Sequence, residues 1–181
     1  MRIRIVTCYF SLLIMIIWSC GHSESTQYRK DTKKKTLQQK DGSVSLMLEK
    51  AAFYRDGITP SNNTAEWDIV ISKPGRFKVW IKSATKDTTD LKYANAVRIS
   101  FLDDVLEVTP ACDKIISNST DVHYPYFRAD SYMGSIYIDE PGEYNIQLIS
   151  EKVIVEKSQQ GNAALSDDTK LMSVILTPMT N

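Results

Sequence analysis

The stretch "DVHYPYFRADSYMG", residues 121–134, holds the densest set of chemically capable side chains in this 181-residue sequence. His123, Tyr124, Tyr126, Arg128, Asp130 and Tyr132 crowd into one short segment. Aromatic rings offer flat apolar faces, while Arg, Asp and His make charge-assisted hydrogen bonds to hydroxyls. Such a mixture fits a ligand that is apolar on its faces and hydroxylated at its edges, as a sugar ring is. The competing reading is that Tyr126 or Phe127 plugs the end of a core while alternate residues are simply solvated. Trp80 raises a similar choice. In "RFKVWIKSA" it lies between Lys78 and Lys82, on the face opposite Phe77, Val79 and Ile81. An outward Trp there stacks on a ring ligand, or it is covered by another segment or flanked by the aliphatic stems of the two lysines. The packed reading is the favoured one.

Other chemistries are poorly provided for. Beyond the amino-terminal region the chain has one histidine, His123, and one cysteine, Cys112. A histidine metal cluster and a multi-cysteine zinc site are therefore excluded. There is no Gly-x-Ser-x-Gly elbow and no Gly-rich phosphate loop, and glycines number only seven. Carboxylate pairs occur at Asp103-Asp104, Asp139-Glu140 and Asp167-Asp168. A glycosidase needs two carboxyl groups facing each other across a cleft, whereas adjacent strand residues point to opposite faces. Asp139-Glu140 directly precedes Pro141-Gly142 and reads as a solvated turn, and Asp103-Asp104 reads as a hairpin tip. No catalytic residue is assigned, and the chain is not expected to be an enzyme.

The elements that position these residues start after residue 42. Residues 1–19 carry Arg2 and Arg4 and then the apolar run "IVTCYFSLLIMIIW", the pattern of a signal peptide. Ser19-Cys20 straight after that run resembles the lipobox of bacterial lipoproteins, which implies cleavage before Cys20 and acylation of its thiol. Residues 20–42 then read as an acylated Cys and a disordered tether, with Leu37 its one aliphatic residue. The "KKK" run in this tether is read as a solvated spacer beside an anionic membrane. An acylated Cys20 leaves Cys112 unpartnered, so the domain relies on its hydrophobic core instead of a disulfide. From residue 43 onward there are 14 basic and 19 acidic residues, a balance that argues against a nucleic-acid partner.

Residues 43–181 form one domain of short alternating runs. "EWDIVIS" sets Trp67, Ile69 and Ile71 on one face, and "RFKVWIKSA" does the same with Phe77, Val79 and Ile81. "VSLMLEK", "NAVRISFL", "VLEVTP", "GSIYIDE", "EYNIQLIS" and "KLMSVILTP" behave alike. Period-two alternation marks half-buried strands, and no stretch has a sustained helical period. The fold class expected is all-β, a jelly-roll sandwich of about eight strands. One phrase occurs twice, as "ISKPGRFKVWIKS" and "IDEPGEYNIQLIS". Pro at the second and Gly at the third turn position predict a type II turn, so each copy is expected to be a β-hairpin.

"AEWDIVISKPGRFKVWIKSA" resembles a segment of galactose-binding-like β-sandwich modules of bacterial polysaccharide-degrading proteins. It is especially similar to the carboxy-terminal module of bacterial α-L-fucosidases and to related carbohydrate-binding modules. "VSLMLEKAAFYRDGI" resembles their opening strand, "MGSIYIDEPGEYNIQLIS" their second Pro-Gly segment and "LMSVILTP" their closing strand, so the resemblance spans about residues 43–179. It implies a non-catalytic glycan-binding module at the cell envelope, accessory to polysaccharide recognition or degradation. A lipid bilayer held through Cys20 is the second expected partner, with the bacterial outer membrane as the expected location. The alternative is a structural or protein-interaction lipoprotein, docking another envelope protein, that keeps the sandwich without the sugar site. Some related modules hold a structural calcium ion with paired acidic residues near the first strand. Only Glu49 and Asp56 stand there in this chain, which does not support calcium, and no other cofactor is expected.

Overall fold

The computed structural model describes residues 35–153 and 168–179. The signal segment, Cys20, the tether up to residue 34 and Asp167 lie outside the described residues. Within them the strands are β1 (Thr36–Leu37), β2 (Val44–Met47), β3 (Ala52–Tyr54), β4 (Thr64–Ile71), β5 (Gly75–Thr85) and β6 (Val97–Phe101). They continue with β7 (Asp104–Val108), β8 (Lys114–Ile116), β9 (Phe127–Ile138), β10 (Gly142–Ile149) and β11 (Thr169–Pro178). Two single 3₁₀ turns, Leu48–Lys50 and Pro60–Asn62, are the helical elements among the described residues.

The strands form two sheets. The first has the order β1-β4-β10-β6-β7, with β3 also paired to β4; the second has the order β2-β11-β5-β9-β8. Without the short strands β1, β3 and β8, eight strands remain, ordered β4-β10-β6-β7 and β2-β11-β5-β9. Apart from the β6–β7 neighbours, consecutive strands among these eight alternate between sheets in the manner of a jelly roll. The expected fold class therefore stands, with three small strands added at the edges.

The inner faces carry the alternation read from the sequence. Trp67, Ile69 and Ile71 of β4 and Phe77, Val79 and Ile81 of β5 are buried, and they meet Ile99, Phe101, Ile146 and Leu148 in one core. Full burial of each such side chain contributes about 1.5–3 kcal/mol. Trp67 also satisfies its one polar atom, donating from its indole N–H to the Met47 carbonyl at 2.9 Å.

The doubled phrase does not make hairpins. β4 lies in the first sheet and β5 in the second, and β9 and β10 are divided in the same way. Each Pro-Gly segment is an arch that carries the chain from one sheet to the other. The arches instead pair with each other's strands. In one sheet Gly142 lies opposite Ile71, and in the other Gly75 lies opposite Ile138. This reciprocal register explains why the phrase is written twice: the two copies are two halves of one paired unit. The backbone also departs from the type II turn. Gly75 has φ +149°, and Gly142 is not among the positive-φ glycines. A hairpin read as centred on Asp103-Asp104 does exist between β6 and β7. Phe101 pairs with Asp104, so its tip is Leu102-Asp103, with Leu102 at φ 51°.

Residues 36–42, read as tether, belong to the sandwich. β1 pairs in parallel with β4 at Thr36–Ile69 and Leu37–Val70. The Gln38 side chain then clamps the first arch. Its Oε1 accepts from the Ser72 and Lys73 N–H groups at 3.0 and 2.7 Å and from the Ser72 hydroxyl at 3.0 Å. Its Nε2 donates to the Gly42 and Lys73 carbonyls at 2.8 and 3.1 Å. Composition gave no sign of this, because the segment is held by hydrogen bonds and not by apolar burial.

Candidate functional site on the outer face of the second sheet

Alternation along β5 and β9 decides what this face presents. On β5 the residues opposite the core are Arg76, Lys78, Trp80, Lys82 and Ala84. Register places Tyr137 beside Arg76, Tyr132 beside Trp80, Asp130 beside Lys82 and Arg128 beside Ala84. A bulge between Val79 and Trp80 leaves Met133 without a partner on β5, and Met133 is buried. The bulge keeps Tyr132 on the outer face: its ring and that of Trp80 are 5.1 Å apart at an interplanar angle of 52°. Tyr132 is 40% exposed. Its backbone N–H donates to Asp113 Oδ2 at 2.7 Å, which ties the ring's position to the segment before β8. Trp80 is half-buried, and the Tyr132 ring packs beside it.

Beside the ring pair lies an ionic network. Arg128 Nε and Nη2 donate to Asp130 Oδ1 and Oδ2 at 2.9 and 3.0 Å, a bidentate fork that fixes both side chains. Arg128 Nη1 donates to Asp121 Oδ2 at 2.9 Å, and Lys82 Nζ lies 3.7 Å from the same oxygen. Burial works against the Arg128 charge, but the Asp130 and Asp121 carboxylates outweigh it and hold its pKa above the ordinary value. Asp130, only 9% exposed, is tolerable as a charge because of that fork.

Further along the same face, Lys86 and Lys170 approach the Tyr126 ring at 5.4 and 5.1 Å from its centroid. Such cation–π contacts contribute about 0.5–1 kcal/mol at exposed positions. Tyr126 is half-buried and lies between two ammonium groups. His123 and Tyr124 are set apart. They occupy an exposed turn closed by the Tyr126 N–H donating to the His123 carbonyl at 3.0 Å, around a cis Tyr124–Pro125 peptide. Tyr124 is 94% exposed.

Of the residues singled out from the sequence, the structure joins Trp80 with Tyr132, and Arg128 with Asp130. It leaves Tyr126 on the same face and His123 and Tyr124 at the loop tip. Asp121, Lys82, Lys86, Lys170 and Asp113 were missed. Asp121 and Lys82 had a signal: one heads the aromatic stretch and the other flanks Trp80. Lys86 and Lys170 had none, because they converge only through the β11–β5 register that sets Lys170 opposite Ala84.

The rest of the surface offers little further chemistry. Among the described residues no group of three His, Cys, Asp or Glu side chains converges as a metal site. Asp139 and Glu140 are exposed in the second arch and Asp103-Asp104 at the hairpin. Cys112 is half-buried; burial pushes its thiol pKa up, and the Asp87, Asp90 and Asp113 carboxylates add to the push. A thiolate is disfavoured there.

No family model matches the chain, and no curated protein matches it. Solved structures do. The chain is similar to an α-L-fucosidase from Vibrio sp. strain EJY3, with a TM-score of 0.60 and 22% identity, over 80% of this chain and 24% of that one. Fainter likenesses are to the Podospora anserina GH26-CBM35 β-(1,4)-mannanase and the mosquito-larvicidal Cry4Aa toxin from Bacillus thuringiensis. The mannanase has a TM-score of 0.44 at 13% identity, over 78% of this chain and 28% of that one. The toxin has 0.48 at 8%, over 81% and 25%. At these identities the likeness is one of fold, and the chain spans about a quarter of each neighbour's length.

Proposed function

We propose that this chain is a non-catalytic carbohydrate-binding sandwich held at a cell envelope by an acylated Cys20. The observation that carries the reading is the Trp80–Tyr132 ring pair standing next to the Arg128–Asp130–Asp121–Lys82 network on one sheet face. Paired rings supply an apolar platform for a pyranose face. The fixed guanidinium and carboxylates next to it supply donors and acceptors for hydroxyl edges. Their side chains are already ordered by one another, so little rotamer freedom remains to be lost on binding. The fold likeness to an α-L-fucosidase supports the same class of ligand. The reading requires no metal and no cofactor.

The test uses the full chain in a non-ionic detergent, screened on a glycan array with hits confirmed by calorimetry. Saturable binding is expected, weakened about tenfold, or ~1.4 kcal/mol, by either Trp80→Ala or Tyr132→Ala. Binding that survives both substitutions refutes the assignment of this face. A folded chain that binds no glycan favours the rival reading of a protein-interaction lipoprotein. Acylation is tested separately: labelled palmitate incorporation in the native host is expected for the wild-type chain and lost in Cys20→Ala.

A further inference from the structure

The two outer faces of the sandwich differ in charge. The first sheet presents Glu66, Asp68, Glu107 and Glu143, answered by Arg98 and by Lys35 at the edge. The second presents Arg76, Lys78, Lys82, Arg128, Lys114 and, beyond the end of β5, Lys86 and Lys170. Half of the 14 basic residues after position 42 are thus gathered on one face of a domain whose balance is acidic. Carboxylates neutralise only some of them. Lys82 and Arg128 pair with Asp121 and Asp130, and Lys86 lies 3.5 Å from Asp168. Arg76, Lys78, Lys114 and Lys170 form no ion pair among the described residues.

Rings and cations also alternate along the face. Tyr137, 59% exposed, stands beside Arg76; Trp80 and Tyr132 stand between Lys78 and Lys82; Tyr126 stands between Lys86 and Lys170. At about 3.4 Å per residue, the path from Arg76 to Lys86 is about 34 Å long. Cationic positions two residues apart lie about 7 Å from each other. A single neutral sugar would use one ring pair and leave the rest idle.

Resting on the carbohydrate-binding reading, we propose that this face takes an extended anionic polysaccharide, carboxylated or sulfated, laid along β5. The rings meet sugar faces, and the unpaired cations meet the carboxylate or sulfate groups. The polymer is favoured over a lipid surface because the rings stand between the cations along one line, where headgroups alone would leave them unused.

The experiment measures affinity of the full chain in non-ionic detergent for polygalacturonate, dextran sulfate and uncharged dextran. Binding to at least one charged polymer is expected, and comparison of the two tells carboxylate from sulfate. That affinity should fall at least tenfold when salt rises from about 0.05 to 0.5 M, as the Debye length shortens. The double variant Lys78→Gln/Lys170→Gln should also lose about tenfold while remaining folded, its melting temperature lowered by no more than the few degrees that loss of the Lys170–Tyr126 contact explains. Trp80→Ala should weaken the same binding. Charged-polymer binding that ignores both sets of substitutions is nonspecific and overturns the proposal. Neutral-glycan binding that needs Trp80 and Tyr132 but not Lys78 and Lys170 also overturns it, while leaving the carbohydrate-binding reading intact. No binding to any of the three polymers overturns the proposal, while the glycan array decides the carbohydrate-binding reading separately. Binding to phosphatidylglycerol mixed micelles in place of the polymers overturns it in favour of a membrane surface.

Discussion

Gln38→Ala is the sharpest test of how the sandwich is closed. The side chain makes five hydrogen bonds to the first arch and to Gly42. A neutral hydrogen bond contributes about 0.5–1.5 kcal/mol net, and water can reach this arch, so the lower end applies. Five such bonds give about 2.5 kcal/mol, from which about 1 kcal/mol is recovered as Gln rotamer freedom on truncation. The expected loss is therefore about 1.5 kcal/mol. For a domain of this size that lowers the melting temperature by roughly 4–8 °C. The assay is thermal unfolding followed by circular dichroism, with Gln39→Ala as the neighbouring control, since the Gln39 contacts to the fold are through its backbone. Gln38→Glu is the second arm. It keeps the acceptor for Ser72 and Lys73 but replaces the donor with an oxygen facing two carbonyls, so it should cost at least as much as Ala. If Gln38→Ala melts within about 1 °C of wild type, β1 and the clamp are not part of the cooperative unit. The cooperative domain then begins after β1, beyond Leu37.

The two arches should answer substitution differently. Gly75→Ala forces a side chain onto φ +149° and should cost about 1–3 kcal/mol in chemical denaturation, although nothing lies within 4 Å of the new Cβ. Gly142→Ala meets only the Tyr144 ring at 3.5 Å and should be neutral or slightly stabilising; equal effects would refute the distinction. Trp67→Phe strands the Met47 carbonyl and should cost about 1–3 kcal/mol by the same assay. Asp56 is held below its ordinary pKa by the Thr59 and Ile58 N–H groups and the Asn62 amide, and Asp87 by the Thr89 hydroxyl and the Thr89 and Asp90 N–H groups. Groups depressed in the folded state add stability above their unfolded pKa of about 3.8 and lose it as pH falls through the folded value. Unfolding free energy should therefore stay level from about pH 5 to 7 in these terms and drop below about pH 4, less steeply in Asp87→Asn.

Much of the fold could be read from alternation alone, because a buried sheet face admits only one parity of apolar residues. β4, β5 and β10 are examples, with Trp67 correctly placed in the core. What alternation does not encode is which strand a strand pairs with. Pro-Gly between two strands looked like a hairpin because local turn chemistry is the same whether the chain folds back in one sheet or crosses to another. The site divides similarly. Arg128 and Asp130 were legible as members of one crowded segment, while their place on a common face of β9 was not. Trp80 with Tyr132 needed the β5–β9 register and its bulge, and Lys170 needed the β11–β5 register. Gln38 was invisible because a polar clamp leaves no hydrophobic trace.

The reciprocal arches also set a timetable for the ribosome. When β4 and β5 have emerged, the partners that cover their sides, β10 and β9, have not yet been made. At about 5–20 residues per second, the roughly sixty residues still to come occupy about 3–12 s. Through that interval two long strands stand with unpaired backbone edges, the condition in which chains capture one another. A chain released whole before folding starts never passes through that state alone, because both copies of the phrase are then present. Slowing chain elongation between residues 85 and 149 should thus raise aggregation more in this protein than in one built from sequential hairpins.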